Sequence, residues 1–248
     1  MKIEVEDAGC VTPEASRRNL DLNMARGLPV LKLAGEPTGK RVAVIGGAPS
    51  LPKYADELRA WDGPRWALNG AWAWCRDHGI DADLFLVDPQ HLDCYGAGFE
   101  LKGCKRAYLG PSVDASIFDL LVDAEITIVP AVGHGTVATG VILPAAMLGH
   151  SGVSYFGCDG SRGEKSHAYV DEPDSNINIC LVECGGETFV SDPILITQCK
   201  LIVDVARKRP HFISATPEGL LAAMLQNDGD YEITFITPEL AARMRPAA

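Results

Sequence analysis

Residues able to handle a charged small molecule recur along this chain, each just beyond a short apolar run. Gly46, Gly47 and Ser50 follow the run 41–45, Asn69 closes 65–69, and Asp88 follows Leu84-Phe85-Leu86-Val87. Gly133, His134, Gly135 and Thr136 follow 126–129, and Asp159 follows 152–157. Glycines let an anion approach the main chain, and Ser50 or Thr136 can cap a first helical turn whose free N–H groups suit phosphate. Asn69 carries both a donor and an acceptor, as reading a base or a hydroxyl requires. Asp88 and Asp159 can accept a sugar hydroxyl or hold Mg²⁺. His167 lies eight residues beyond Asp159 in a polar stretch, where it can serve as a general base or touch a transferred phosphate. Each residue also has a purely local use: a structural strand-turn-helix for the glycines, a turn bond for Asn69 or Asp88, a hydrogen-bonded core role for His134, and a solvated loop for His167.

These residues need a frame that brings strand ends together. Val42, Val44 and Ile45 are β-branched around Ala43, as in a parallel strand covered on both faces. From Lys40 on, apolar runs alternate with helical patterns. Strands are predicted at 41–45, 65–69, 83–87, 105–109, 126–129, 152–157 and 211–214, and helices at 52–60, 70–78, 114–123, 136–149, 192–208 and 217–226. This is the signature of a doubly wound, mainly parallel Rossmann-like α/β sheet, in which ligands bind beyond the carboxyl ends of the strands. Residues 1–38 read as an irregular N-terminal arm, laid on the domain or on a neighbouring subunit of a homo-oligomer. The nucleotide-binding domain spans 39–228, with an insertion at 159–191 that holds a hairpin around Cys184-Gly185-Gly186-Glu187, and 229–248 form a C-terminal tail.

Composition narrows the function classes. The 248 residues are 47% hydrophobic, enough for a large core, and a formal net charge of −11 excludes a nucleic-acid backbone binder. Arg207-Lys208-Arg209 closes a predicted helix and is explained by the helix dipole. Met1 to Glu6 is polar and acidic, unlike a signal peptide, and the most apolar stretch, 137–148, is short for a membrane span and holds Gly140 and Pro144. A cytoplasmic protein with no membrane segment is expected. The eight cysteines form no CxxC pair and read as reduced thiols packed as small hydrophobes, although Cys180 and Cys184 flank a turn across which they could meet each other or a metal.

The motifs Gly-Gly-Ala-Pro-Ser-Leu (46–51), Ala-Leu-Asn-Gly (67–70), His-Gly-Ile-Asp-Ala-Asp-Leu-Phe-Leu-Val-Asp (78–88), Gly-Thr-Val-Ala (135–138), Leu-Gly (148–149), Phe-Gly-Cys-Asp-Gly (156–160) and His167 together resemble the MptE-like Rossmann-fold family. That family is named for an archaeal 6-hydroxymethylpterin diphosphokinase and includes motility accessory proteins associated with flagellin glycosylation. The resemblance covers roughly residues 20–225. A looser likeness runs to bacterial sialyltransferases that use a cytidine-monophosphate sugar, through the glycine turn, Asn69 and the Gly-Thr-led helix. Gly47 stands where those enzymes carry an Asn, and Ala48 replaces the second glycine of the usual family turn. The resemblance implies a nucleotide-handling transferase, with Gly46, Gly47, Ser50, Asn69, Gly133, Gly135 and Thr136 on the nucleotide. Asp88, Asp159 and His167 would be catalytic, and Asp88 and Asp159 would hold Mg²⁺. The leading expectation is diphosphoryl transfer from a nucleoside triphosphate to a hydroxymethyl-bearing small-molecule acceptor. The alternatives are glycosyl transfer from a nucleotide sugar and a non-catalytic nucleotide-binding or assembly module.

Overall fold

The computed structural model describes residues 11–91, 100–129, 136–162, 168 and 179–235. Among them, seven parallel strands form the central sheet: β1 (Arg41–Ile45), β2 (Arg65–Leu68), β3 (Asp83–Leu86), β4 (Arg106–Leu109), β5 (Glu125–Ile128), β6 (Gly152–Phe156) and β9 (Ile213–Ala215), in the order β5-β4-β3-β2-β1-β6-β9. The chain winds outward from β1 to β5, then returns to place β6 on the other side of β1. This is a doubly wound Rossmann-like α/β fold. Alternate residues of β1 explain the two faces. Ala43 and Ile45 join Leu51, Leu58, Trp72 and Leu84 in one apolar layer, while Val42 and Val44 join Trp66, Phe85, Tyr155 and Ile202 in the other.

Helices cover both faces. The first layer is closed by the 3-10 turn Leu51–Tyr54 and by α2 (Ala55–Ala60), α3 (Ala71–Asp77) and α4 (Ala115–Leu120). The second is closed by α5 (Val137–Gly140), α6 (Ile142–Met147), α7 (Pro193–Lys208) and α8 (Gly219–Gln226). The predicted helix 136–149 is broken at Val141 into α5 and α6, with Pro144 inside the first turn of α6, where a missing N–H costs nothing. The longest helix, α7, starts where Asp192 accepts from the N–H groups of Ile194 and Leu195, and ends on Arg207 and Lys208, matching the helix dipole at both ends.

Three segments differ from or refine the sequence reading. The N-terminal arm is not wholly irregular: α1 (Pro13–Ala25) is capped by Thr12 and docks on the chain's own domain, Asn23 donating to the carbonyls of Pro111 (3.0 Å) and Val113 (2.7 Å). Beyond it Val30 bridges Ile128 in parallel and so extends the β5 edge. The predicted hairpin forms as β7 (Cys180–Cys184) and β8 (Glu187–Ser191), joined by Gly185 and Gly186, both in the left-handed region that a tight turn needs. The tail contributes β10 (Glu232–Phe235), which pairs antiparallel with β7 in a small three-stranded sheet. Cys180 and Cys184 therefore lie at the two ends of β7, about 13 Å apart. They cannot join or share a metal, and with Cys75, Cys104, Cys158 and Cys199 they are free, buried thiols. No described helix is long and apolar enough to cross a membrane.

At the amino ends of the strands, Arg41 ties β1, β6 and β9 together. It donates to the carbonyls of Val153 and His211 (both 2.6 Å) and to the hydroxyls of Ser154 and Ser214 (both 2.9 Å). That clamp holds the strands whose opposite ends form the candidate site.

Candidate functional site

The strand order reverses between β1 and β6, so their carboxyl ends bound the crevice where this fold class accepts ligands. Gly46 stands at the end of β1, and a Cβ there would fall 2.4 Å from the Gly157 carbonyl oxygen and 2.5 Å from Cys158 Sγ. The two strand ends are packed that closely because Gly46 has no side chain. Gly46 N–H donates to Phe156 O and Ala48 N–H to Gly157 O, both at 2.8 Å, with Gly157 at φ +59°. Glycine at 46 thus serves the contact between β1 and β6.

Ser50 does not cap the following turn. Its hydroxyl donates to Asp159 Oδ1 at 2.5 Å. The side-chain donor expected to meet phosphate is therefore held by a carboxylate of the protein itself. Leu51 N–H goes to Ala48 O and Pro49 has no N–H, which leaves the N–H groups of Gly47 and Ser50 without a main-chain acceptor among the described residues. The Gly47 carbonyl accepts from Ala168 N–H at 2.8 Å, so the insertion returns its main chain to this turn.

Asp159 is 8% exposed, and burial pushes its carboxyl above the usual range while Ser50 opposes that rise. Its surroundings include a residue the sequence reading missed. Glu218, at the start of α8, accepts from the Tyr54 hydroxyl and from Lys53 Nζ at 3.4 Å. Desolvation works against the Glu218 charge, but the Tyr54 and Lys53 donors outweigh it and hold the carboxyl below its ordinary value. Burial and then Glu218 push the Tyr54 phenol upward. The following Gly219, at φ +81°, lies against Asp159, where a Cβ would come within 2.5 Å of the Asp159 Cβ. The sequence signal for Glu218 is an acid followed by glycine at the start of the predicted helix 217–226.

On the other side of β1, Asn69 and Asp88 are brought together. Asn69 ends β2 in the left-handed region at φ +47°, a conformation that asparagine tolerates better than most residues. Its N–H donates to Phe85 O at 3.2 Å, which ties the turn after β2 to β3. Burial pushes the Asp88 carboxyl above its usual range, and the neighbouring Asn69 side chain opposes that rise. The Asn69 Oδ1 is buried with no partner among the described residues. An amide beside an acid, with an unmet acceptor, is suited to a ligand N–H or O–H.

Thr136 is the N-cap residue of α5 by position, but its hydroxyl donates to Gln198 Oε1 on α7 instead of to the helix. Gln198, 6% exposed, is a second residue the sequence reading missed. Tyr155 on β6 donates to Ala138 O at 2.8 Å and so fixes α5 against the sheet. Gly133, His134, Gly135 and His167 lie outside the described residues.

The geometry thus sorts the expected residues into two polar pairs at one edge of the sheet, Ser50 with Asp159 and Asn69 with Asp88, on either side of the β1 turn. No protein-family model and no curated protein matches this sequence. The likeness to MptE-like proteins and sialyltransferases accordingly rests on the motifs themselves.

The pairing bears on the expected Mg²⁺ site. Asp88 and Asp159 follow β3 and β6, and β2 and β1 stand between those strands, so the strand ends are about 14 Å apart. Among the described residues, no group of three or more His, Cys, Asp or Glu side chains is placed to hold a metal.

Proposed function

We propose that this protein is a nucleotide-dependent transferase whose donor lies across the crevice between β1 and β6. The reading is carried by the two polar pairs that flank the β1 turn at the carboxyl edge of a doubly wound sheet, the place where such folds take nucleotides. The supply of charge favours one form of transfer. Asp88, Asp159 and Glu218 are acceptors, the Asn69 Oδ1 is a further acceptor, and the nearby cation Lys53 is already paired with Glu218. An edge rich in acceptors suits the hydroxyl groups of a nucleotide sugar better than the accumulated charge of a triphosphate.

In the glycosyl-transfer form, Asp88 takes the proton of the acceptor hydroxyl, a role suited to a carboxyl raised by burial beside Asn69. The acceptor oxygen bonds to the anomeric carbon, and the bond from that carbon to the donor phosphate breaks, its electron pair leaving on the nucleotide. The second reading is diphosphoryl transfer, favoured by the separate carboxylates. One of them, with phosphate oxygens, is a common Mg²⁺ environment, and the ion would arrive with the nucleoside triphosphate as part of the substrate. There Asp88 takes the same proton, the acceptor oxygen bonds to the β-phosphorus, and a nucleoside monophosphate leaves.

The test is product mass spectrometry with the full chain, nucleotide sugars, nucleoside triphosphates with Mg²⁺, and a panel of hydroxyl acceptors. Sugar transfer that persists in EDTA supports the first form, and Mg²⁺-dependent diphosphoryl transfer replaces it with the second. Binding without any transfer overturns the enzymatic reading and leaves a nucleotide-binding module.

A further inference from the structure

We propose that Asp159 is the specificity-determining residue of this site: it occupies the Ser50 hydroxyl, the side-chain donor of the 46–51 turn, and sets a carboxylate beside the turn that keeps phosphate out of it, so the turn meets hydroxyl-bearing parts of the ligand. The identity of that ligand rests on the nucleotide reading above, whereas the exclusion of anions is a property of the turn itself.

A glycine turn that binds phosphate offers several main-chain N–H groups and a hydroxyl to one anion. Here the Ser50 hydroxyl serves the Asp159 carboxylate. The N–H groups of Gly46, Ala48 and Leu51 are spent on Phe156, Gly157 and Ala48 carbonyls, which leaves the main-chain N–H groups of Gly47 and Ser50. An arriving phosphate would have to displace a carboxylate from the Ser50 hydroxyl and then lie beside it. Asp159 is also held in place. Its carbonyl accepts from Leu221 N–H at 3.0 Å, and Gly219 fits against its Cβ.

The groups around it add to the effect. Glu218 is a second acid on the same flank, Lys53 is paired with Glu218, Tyr54 is a neutral phenol bonded to Glu218, and Cys158 and Cys199 are buried thiols. A carboxylate that already holds the Ser50 hydroxyl keeps lone pairs for further hydroxyl donors, so ribose or sugar hydroxyls are the ligand groups that fit beside it.

The decisive experiment is calorimetric titration of the full-length chain with inorganic pyrophosphate, comparing wild type, Asp159→Ala and Asp159→Asn. Asp159→Ala keeps the Cβ that packs on Gly219, frees the Ser50 hydroxyl and removes the carboxylate, and it is expected to bind pyrophosphate at least about tenfold more tightly than wild type. Adding Ser50→Ala should remove most of that gain. Asp159→Asn keeps the shape and deletes the charge, so it should show a smaller gain and decides the matter if the alanine variant does not fold. Equal or weaker pyrophosphate binding in the folded variants overturns the proposal. An uncharged nucleoside titrated in parallel should bind wild type and lose affinity in Asp159→Ala. If wild type binds neither nucleoside nor nucleotide while the variants still gain pyrophosphate, the nucleotide reading fails and the exclusion stands.

Discussion

The Asn69 side chain lies beside the Asp88 carboxyl at the carboxyl ends of β2 and β3, and its Oδ1 is buried without a partner among the described residues. One side chain thereby adjoins the acid proposed to take a proton and offers an unmet acceptor. Separating these two roles is the most direct way to examine the site.

Replacing the acid tests the chemistry. Asp88→Asn keeps the shape but cannot accept a proton, so turnover should fall by about 10²- to 10⁴-fold. Donor affinity should stay within about threefold by titration. Equal losses in binding and turnover would make Asp88 a donor contact and remove its role as base.

Asn69 carries both a backbone and a side-chain requirement. Asn69→Gly relieves the positive φ of +47° while deleting the amide, so its melting temperature should match or exceed wild type as donor affinity drops. Asn69→Ala should cost stability as well, about 1 kcal/mol from the left-handed backbone. A glycine variant with undiminished donor binding would take Asn69 out of the site.

Gly46 should tolerate no side chain. A methyl group there meets the Gly157 carbonyl oxygen at 2.4 Å and Cys158 Sγ at 2.5 Å, so β1 and β6 would have to part. Gly46→Ala should lose about 2 kcal/mol or more in urea denaturation, in the range of overpacked cores. Gly27→Ala is the contrast: it has open space around it but φ of +66°, so it should lose only the smaller backbone term.

Asp83 predicts the sign of one pH effect. Burial raises its carboxyl above the ordinary value even though Arg106 Nε donates to it at 2.8 Å. The folded chain therefore binds the Asp83 proton more tightly than the unfolded chain. Its contribution to stability is fully present below the ordinary aspartate pKa of about 4 and is lost as pH rises through the raised folded value. Asp83→Asn should flatten the fall of stability over that acidic range in denaturation measured from pH 4 upward. A steeper fall would reverse the assignment. Arg106 is mostly exposed, so losing its partner leaves no buried charge.

The sequence by itself determined the architecture and the edge at which polar residues gather, because these are local properties. A β-branched run such as 41–45 followed by Gly46-Gly47 declares a covered strand and its turn, and repeating that pattern leaves few arrangements other than a doubly wound sheet. The same reasoning missed α1, whose polar sequence has little apolar periodicity and is held by Thr12 at its cap and Asn23 on the carbonyls of Pro111 and Val113. Only the tertiary structure decided what each polar group does. Ser50 and Asp159 are 109 positions apart, and Thr136 and Gln198 are 62 apart, so no local pattern could show that the two expected caps spend their hydroxyls on distant partners. Hydrogen-bond capacity is finite and buried donors are satisfied by whatever folding brings near. The chain thus announces its functional groups, while packing assigns their partners.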